Sequence, residues 1–210
     1  MPDLYIIAGP NGAGKSTFSQ LYVPGDVQIF DGDKLQALRE KMYPDIDAAV
    51  IKDGVEFQFE EDKREAIKTR SGFAYESNFS SPSPLTTAEE FRKAGYKINL
   101  VFLGLSSINI AISRVAARME LGGHGVDRDT IAANYNGGLK NLQKHIGYFD
   151  KALFYSSEKS KRLERPVRLV RIENGKVMEK GAKLPAWVQK VMFNLEGMKK
   201  AESRQMKRRK

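Results

Sequence analysis

Short apolar runs recur along the chain, with polar stretches of helical spacing between them. Residues 4–8 (Leu-Tyr-Ile-Ile-Ala) form a run that ends at Gly9, the pattern of a buried strand. A second run lies at 27–30, a shorter third at 73–75, a stronger fourth at 98–103 and a fifth at 153–155. Residues 16–22, 55–69, 86–94, 108–119 and 130–146 read as helices. Within 55–69, Val55, Phe59, Ala66 and Ile67 recur close to helical spacing, and the 86–94 stretch begins after Pro84 and stops at Gly95. Strands that alternate with helices predict a mainly parallel sheet covered on both faces.

The C-terminal part departs from that rhythm. Residues 167–172 and 176–178 flank Asn174-Gly175, a strong signal for a tight hairpin turn. Residues 185–195 then read as a short helix with Trp187 and Val191 on one face. No repeat and no interdomain linker interrupts the pattern. We therefore expect one domain over 1–198, with 166–198 as an added hairpin and helix, and 199–210 as a basic, disordered tail.

Composition narrows the class. With 210 residues, 41% of them hydrophobic, the chain can bury a single-domain core. It has no apolar run of the roughly 18 residues a membrane helix needs, and its first residues lack the marks of a signal peptide. There is no cysteine and there are only two histidines, which excludes disulfides, thiol catalysis and cysteine zinc sites. A cytoplasmic protein without a membrane partner is expected. The net charge is +9, but residues 199–210 hold seven basic residues against one acid. Most of the excess is therefore terminal, which argues against nucleic acid as the main partner without removing it as an alternative.

The strongest chemical signal is Gly9-Pro10-Asn11-Gly12-Ala13-Gly14-Lys15-Ser16, followed by Thr17. It fits G-x-x-x-x-G-K-[ST] in full and sits between a strand and a helix, the context the motif requires. Its glycines let backbone N–H groups turn toward phosphate oxygens. Lys15 can reach the β- and γ-phosphates, and the Ser16 hydroxyl can bind Mg²⁺. A nucleotide with Mg²⁺ is the implied ligand. The N-K-x-D guanine motif is absent, as are the L-S-G-G-Q signature and Asp-Glu strand end of ABC ATPases. That leaves ATP ahead of GTP and a small kinase as the best class. The expected fold is α/β, a P-loop NTPase-like three-layer sandwich with the C-terminal hairpin and helix added.

Further candidates follow the strands. The second run ends in Asp31-Gly32-Asp33. One carboxylate there can order Mg²⁺ and the other can accept a proton from a substrate hydroxyl, although Asp-Gly also favours a simple turn. Glu76 ends the third run, next to Ser77 and Asn78, and can hydrogen-bond a hydroxylated substrate. Arg114 and Arg118 are four apart on one helix, so both could face a transferring phosphoryl group. The glycine-flanked Gly122-Gly123-His124-Gly125-Val126 that follows reads as a mobile lid.

This ordered set resembles the zeta-toxin family of P-loop kinases, especially its compact members described as ATPases or UDP-N-acetylglucosamine kinases. The likeness covers about residues 4–155. It rests on the segment from Leu4 to Thr17, on Asp31-x-Asp33, on Phe73-Ala74-Tyr75-Glu76-Ser77, and on Arg118 with Gly122-Gly123-His124-x-Val126. The resemblance implies that Asp33 is the base on the 3′-hydroxyl of UDP-N-acetylglucosamine, leaving Asp31 with Ser16 for Mg²⁺. It implies that Glu65 and Glu76 help hold the sugar nucleotide. Asn78 stands where the family has a hydroxyl residue, and Ser80 where it has a basic one. Two basic residues are expected near the γ-phosphate: Arg118 fills the first place, and His124 or Arg128 the second. A small antitoxin is the partner the family implies. A kinase of nucleotides or RNA ends, and an ATP-binding protein that uses the basic tail on nucleic acid, are the alternatives.

Overall fold

The computed structural model describes residues 1–123, 125–158 and 165–208. The chain runs β1 (Asp3–Ala8), α1 (Lys15–Phe18), β2 (Ile29–Phe30), α2 (Gly32–Met42), α3 (Ala48–Thr69) and β3 (Phe73–Ser77). It continues through α4 (Ser83–Lys93), β4 (Lys97–Gly104), α5 (Ile108–Glu120), α6 (Arg128–His145), β5 (Lys151–Ser156), β6 (Val167–Glu173), β7 (Lys176–Lys180) and α7 (Ala186–Arg208). The strands form one sheet in the order β2-β3-β1-β4-β5-β6-β7. The first five are parallel, and β6 and β7 pair antiparallel at the far edge.

Alternation along the strands separates two cores. Leu4, Ile6 and Ala8 of β1 point to the same side as Tyr75, Leu100, Phe102 and Phe154, where Phe91 of α4, Leu142 of α6 and Trp187 and Val191 of α7 cover them. Ile7 points the other way, with Ala74, Val101 and Leu103, under Phe18, Ala111 and Val115 of α1 and α5 and Tyr135 of α6. Both faces are thus buried, the condition for a parallel sheet. The result is the three-layer α/β sandwich expected from the pattern, with the hairpin and final helix added. Asn174 and Gly175 both take left-handed φ values, 46° and 70°, as a two-residue hairpin turn demands.

Five expectations change in detail. The second strand shrinks to Ile29–Phe30, and the third extends to Ser77 so that Glu76 lies inside it. Asp31-Gly32-Asp33 starts a helix that the sequence pattern did not suggest: Asp31 caps α2 by accepting from the Lys34 N–H, and Asp33 lies in its first turn. A carboxylate at this position satisfies an otherwise unpaired N–H and suits the positive end of the helix. The helix expected over 55–69 begins earlier, at Ala48, behind an Asp47 cap. The C-terminal helix does not stop at 195 but runs to Arg208, so most of the stretch expected as a disordered tail continues α7.

Candidate active site

β1 is flanked by β3 on one side and β4 on the other. The crevice beyond their carboxyl ends is where open parallel sheets bind ligands. A cleft of about 1030 Å³ opens there. Its wall includes Asn11, Gly12, Gly14, Lys15, Ser16 and Thr17 of the phosphate loop, Asp31 and Asp33, Glu76 and Asn78, and Arg114 and Arg118. One cavity thus collects most of the phosphate loop with Asp31, Asp33, Glu76, Asn78 and Arg118.

The phosphate loop is built by its glycines. Gly9 has φ 148°, and a Cβ there would collide with the Leu103 carbonyl oxygen of β4. Gly14 has φ 82° and packs on the Phe18 ring, so a side chain at this turn into α1 would be strained. Ala13 N donates to Pro10 O at 3.2 Å, closing the loop. Pro10 and Ala13 are buried beneath it and do not line the cleft.

Lys15 is only 9% exposed, more buried than a ligand-facing lysine would be expected to be. Its ammonium donates to Gly9 O at 2.9 Å, Pro10 O at 3.3 Å and Asn78 Oδ1 at 2.9 Å. Burial pulls its pKa below the ordinary lysine value; Glu76, Asp33 and Asp31 oppose that shift, and the nearby Arg118 charge adds to it.

Ser16 Oγ lies between two carboxylates, 2.6 Å from Asp31 Oδ2 and 2.8 Å from Glu76 Oε2. Glu76 is held above the usual carboxyl range, first by burial and then by the Asp31 charge. Two clustered carboxylates and a hydroxyl form a hard oxygen donor set. Among the described residues no group of three or more His, Cys, Asp or Glu side chains could hold a metal alone. Such a set fits Mg²⁺, which keeps several waters and shares substrate phosphates rather than sitting in a protein cage.

The arginines separate. Arg118 lines the cleft close enough to Lys15 to influence it. Arg114 also borders the cleft, but its guanidinium is directed to carbonyls: Ser157 O at 2.6 Å, Glu158 O at 3.1 Å and Gly12 O at 3.3 Å. It ties the phosphate loop to the end of β5 instead of facing a phosphoryl group. His124 lies outside the described residues, and Arg128 opens α6 between Asp127 and Thr130, which line the cleft, without lining it itself.

Glu65 is not part of this site. It lies on α3, exposed, 3.7 Å from Lys68, and does not border the cleft. Glu76 does border it, and its carboxylate meets the Ser16 hydroxyl and faces the Asp31 charge. Residues not foreseen also contribute: Lys34, Gln36 and Ala37 of α2, and Thr130 and Asn134 of α6. Asn134 Nδ2 donates to Asn11 Oδ1 at 2.9 Å, and Asn134 Oδ1 accepts from Ser80 Oγ at 2.7 Å. The Gly137-Gly138 pair inside a helical stretch was the available signal. A Cβ at Gly138 would stand 2.7 Å from Asn78 O, so α6 can approach the loop after β3 only without one.

Residues 1–161 match the zeta-toxin family. An uncharacterised protein of Haemophilus influenzae is 29% identical over 130 residues, 60% of this chain and 88% of that protein. A structure from the PezAT chromosomal toxin–antitoxin system of Streptococcus pneumoniae superposes with a TM-score of 0.59 at 21% identity, over 76% of this chain and 70% of that one. The AvrRxo1-ORF1:-ORF2 complex gives a TM-score of 0.65 at 11% identity, over 87% of this chain and 62% of that one. The family match spans most of the chain and the fold is shared with these structures: the chain belongs to the zeta-toxin family and has a kinase-like P-loop fold.

Proposed function

We propose that the protein is an ATP- and Mg²⁺-dependent phosphotransferase that acts on a hydroxyl of a small polar acceptor. The observation that carries this reading is the Ser16 hydroxyl shared by Asp31 and Glu76, in one cleft with Lys15, Asp33 and Arg118. Residues 9–17 bind the nucleotide phosphates. Ser16, Asp31 and Glu76 would hold Mg²⁺, which would supply charge neutralisation for the nucleotide phosphates. Asp33, at the exposed lip of the cleft, takes the proton of the attacking hydroxyl, a role that requires a carboxylate on the acceptor side. Lys15 and Arg118 stabilise the charge spread over the transferring group.

The cleft volume is at the upper end for one small ligand, which suits a nucleotide and an acceptor side by side. The acceptor we propose is UDP-N-acetylglucosamine at its 3′-hydroxyl, with Asp33 as base and Asn78 and Gln36 as polar contacts. The described neighbours come from toxin–antitoxin and two-protein complexes, which supports an antitoxin as partner. Transfer from γ-labelled ATP to a panel of UDP-N-acetylglucosamine, free nucleosides and 5′-hydroxyl RNA tests the reading. Label should pass to the sugar nucleotide and vanish with Lys15→Ala. Label on the RNA ends would replace that acceptor, and no label on any hydroxyl would refute the phosphotransferase.

A further inference from the structure

An ammonium has three protons, and Lys15 spends all three: on Gly9 O, Pro10 O and Asn78 Oδ1. Two of these acceptors are backbone atoms of the phosphate loop. The third belongs to the loop after β3, 63 residues away in sequence. To donate to phosphate oxygens Lys15 must release at least one of them. Asn78 is the acceptor carried on a side chain, and so the one able to swing away.

The backbone under Asn78 is fixed. Gly138 of α6 lies against its carbonyl, as the 2.7 Å approach of a built Cβ shows. Asn141 Nδ2 donates to Phe79 O at 2.9 Å and to Ser81 O at 3.2 Å, and Ser80 is bonded to Asn134. Phe79, buried, is held at φ 58°. With the main chain clamped on three sides, side-chain rotation is the motion left to Asn78.

We infer that Asn78 is a latch on Lys15: it competes with the nucleotide phosphates for the ammonium and, once released, turns its amide to the phosphoryl acceptor. This rests on the phosphotransferase reading and adds a coupling to it. Nucleotide binding frees Asn78 for the acceptor, and by reciprocity an acceptor that engages Asn78 frees Lys15 for the nucleotide. The loss of one bond to a charged group predicts a coupling of about 5-fold or more.

The test is the sign of change in Mg·ATP affinity, measured by calorimetry on folded protein checked by circular dichroism. Asn78→Ala and Asn78→Ser remove the reach to Lys15 and should tighten Mg·ATP by about 5-fold or more. Asn78→Asp grips the ammonium harder and should weaken it by at least as much. The acceptor found in the labelled-ATP panel should tighten Mg·ATP in the wild type and not in Asn78→Ala. Equal or weaker binding in both Asn78→Ala and Asn78→Ser overturns the latch. A wild-type chain that binds no Mg·ATP refutes instead the phosphotransferase reading beneath it.

Discussion

Glu76→Gln should stabilise the protein while weakening its hold on Mg²⁺. Glu76 Oε2 and Asp31 Oδ2 lie 2.8 and 2.6 Å from Ser16 Oγ and compete for its single proton. Their charges therefore lie within about 5 Å of each other, a repulsion of about 1 kcal/mol in water and about 3 kcal/mol at an effective dielectric constant of 20. The cleft is open, Ser16 is exposed and the Lys15 ammonium attracts Glu76 in opposition, so a value of about 1–2 kcal/mol is expected. For a chain of this length that is a rise in Tm of about 2–8 °C. Gln keeps the acceptor for Ser16 and removes the charge. The pH dependence fixes the sign. Burial and Asp31 raise the Glu76 pKa in the fold above its ordinary value of 4.5. The folded state then binds the proton more tightly than the unfolded one, so wild-type stability falls as pH rises from about 4.5 through that raised value. The variant should lack this fall. Mg·ATP at about 100 times its Kd should stabilise the wild type by about 2.7 kcal/mol and the variant by much less. Scanning calorimetry between pH 4 and 8, with and without Mg·ATP, reads both effects. A variant no more stable than wild type at pH 7, or one that gains as much from Mg·ATP, would refute the shared-carboxylate reasoning.

Arg118→Ala should lower kcat by about 10- to 1,000-fold, with a smaller change in ATP affinity; a rise in KM for ATP alone would make it a binding group. Glu65→Gln should leave transfer and Tm within experimental scatter, because Glu65 is exposed on α3 outside the cleft; a large loss of transfer would place the acceptor on that helix. Gly138→Ala should lower Tm even though alanine favours helix by about 1 kcal/mol, since its Cβ would meet the Asn78 carbonyl at 2.7 Å. A higher Tm in thermal denaturation would show that the loop after β3 yields freely.

The sheet was legible because buried parallel strands are nearly continuous apolar runs bounded by glycine, as at residues 4–8 and 98–103. The phosphate loop was legible because its glycines have one purpose, visible here in the φ values of Gly9 and Gly14. What escaped was set by contacts far apart in sequence. α2 has no fully buried side chain, so it leaves no apolar stripe, and its start at Asp31-Gly32-Asp33 looks like a turn. Arg114 and Arg118 share a helix face, yet only the fold shows that carbonyls of the phosphate loop and the end of β5 claim the first. Glu65 fits a pattern of family positions, but α3 turns it to solvent. The contact of Asn134 with Asn11 spans 123 residues, beyond any local pattern.

If this cleft moves a phosphoryl group, Asp33 serves the acceptor and not the nucleotide. Single-turnover transfer from labelled Mg·ATP, paired with calorimetry of Mg·ATP binding on wild type and Asp33→Asn, tests it directly. Asp33→Asn should keep Mg·ATP affinity within a few-fold of wild type and slow transfer by about 100-fold or more. Transfer at the wild-type rate by Asp33→Asn would contradict it.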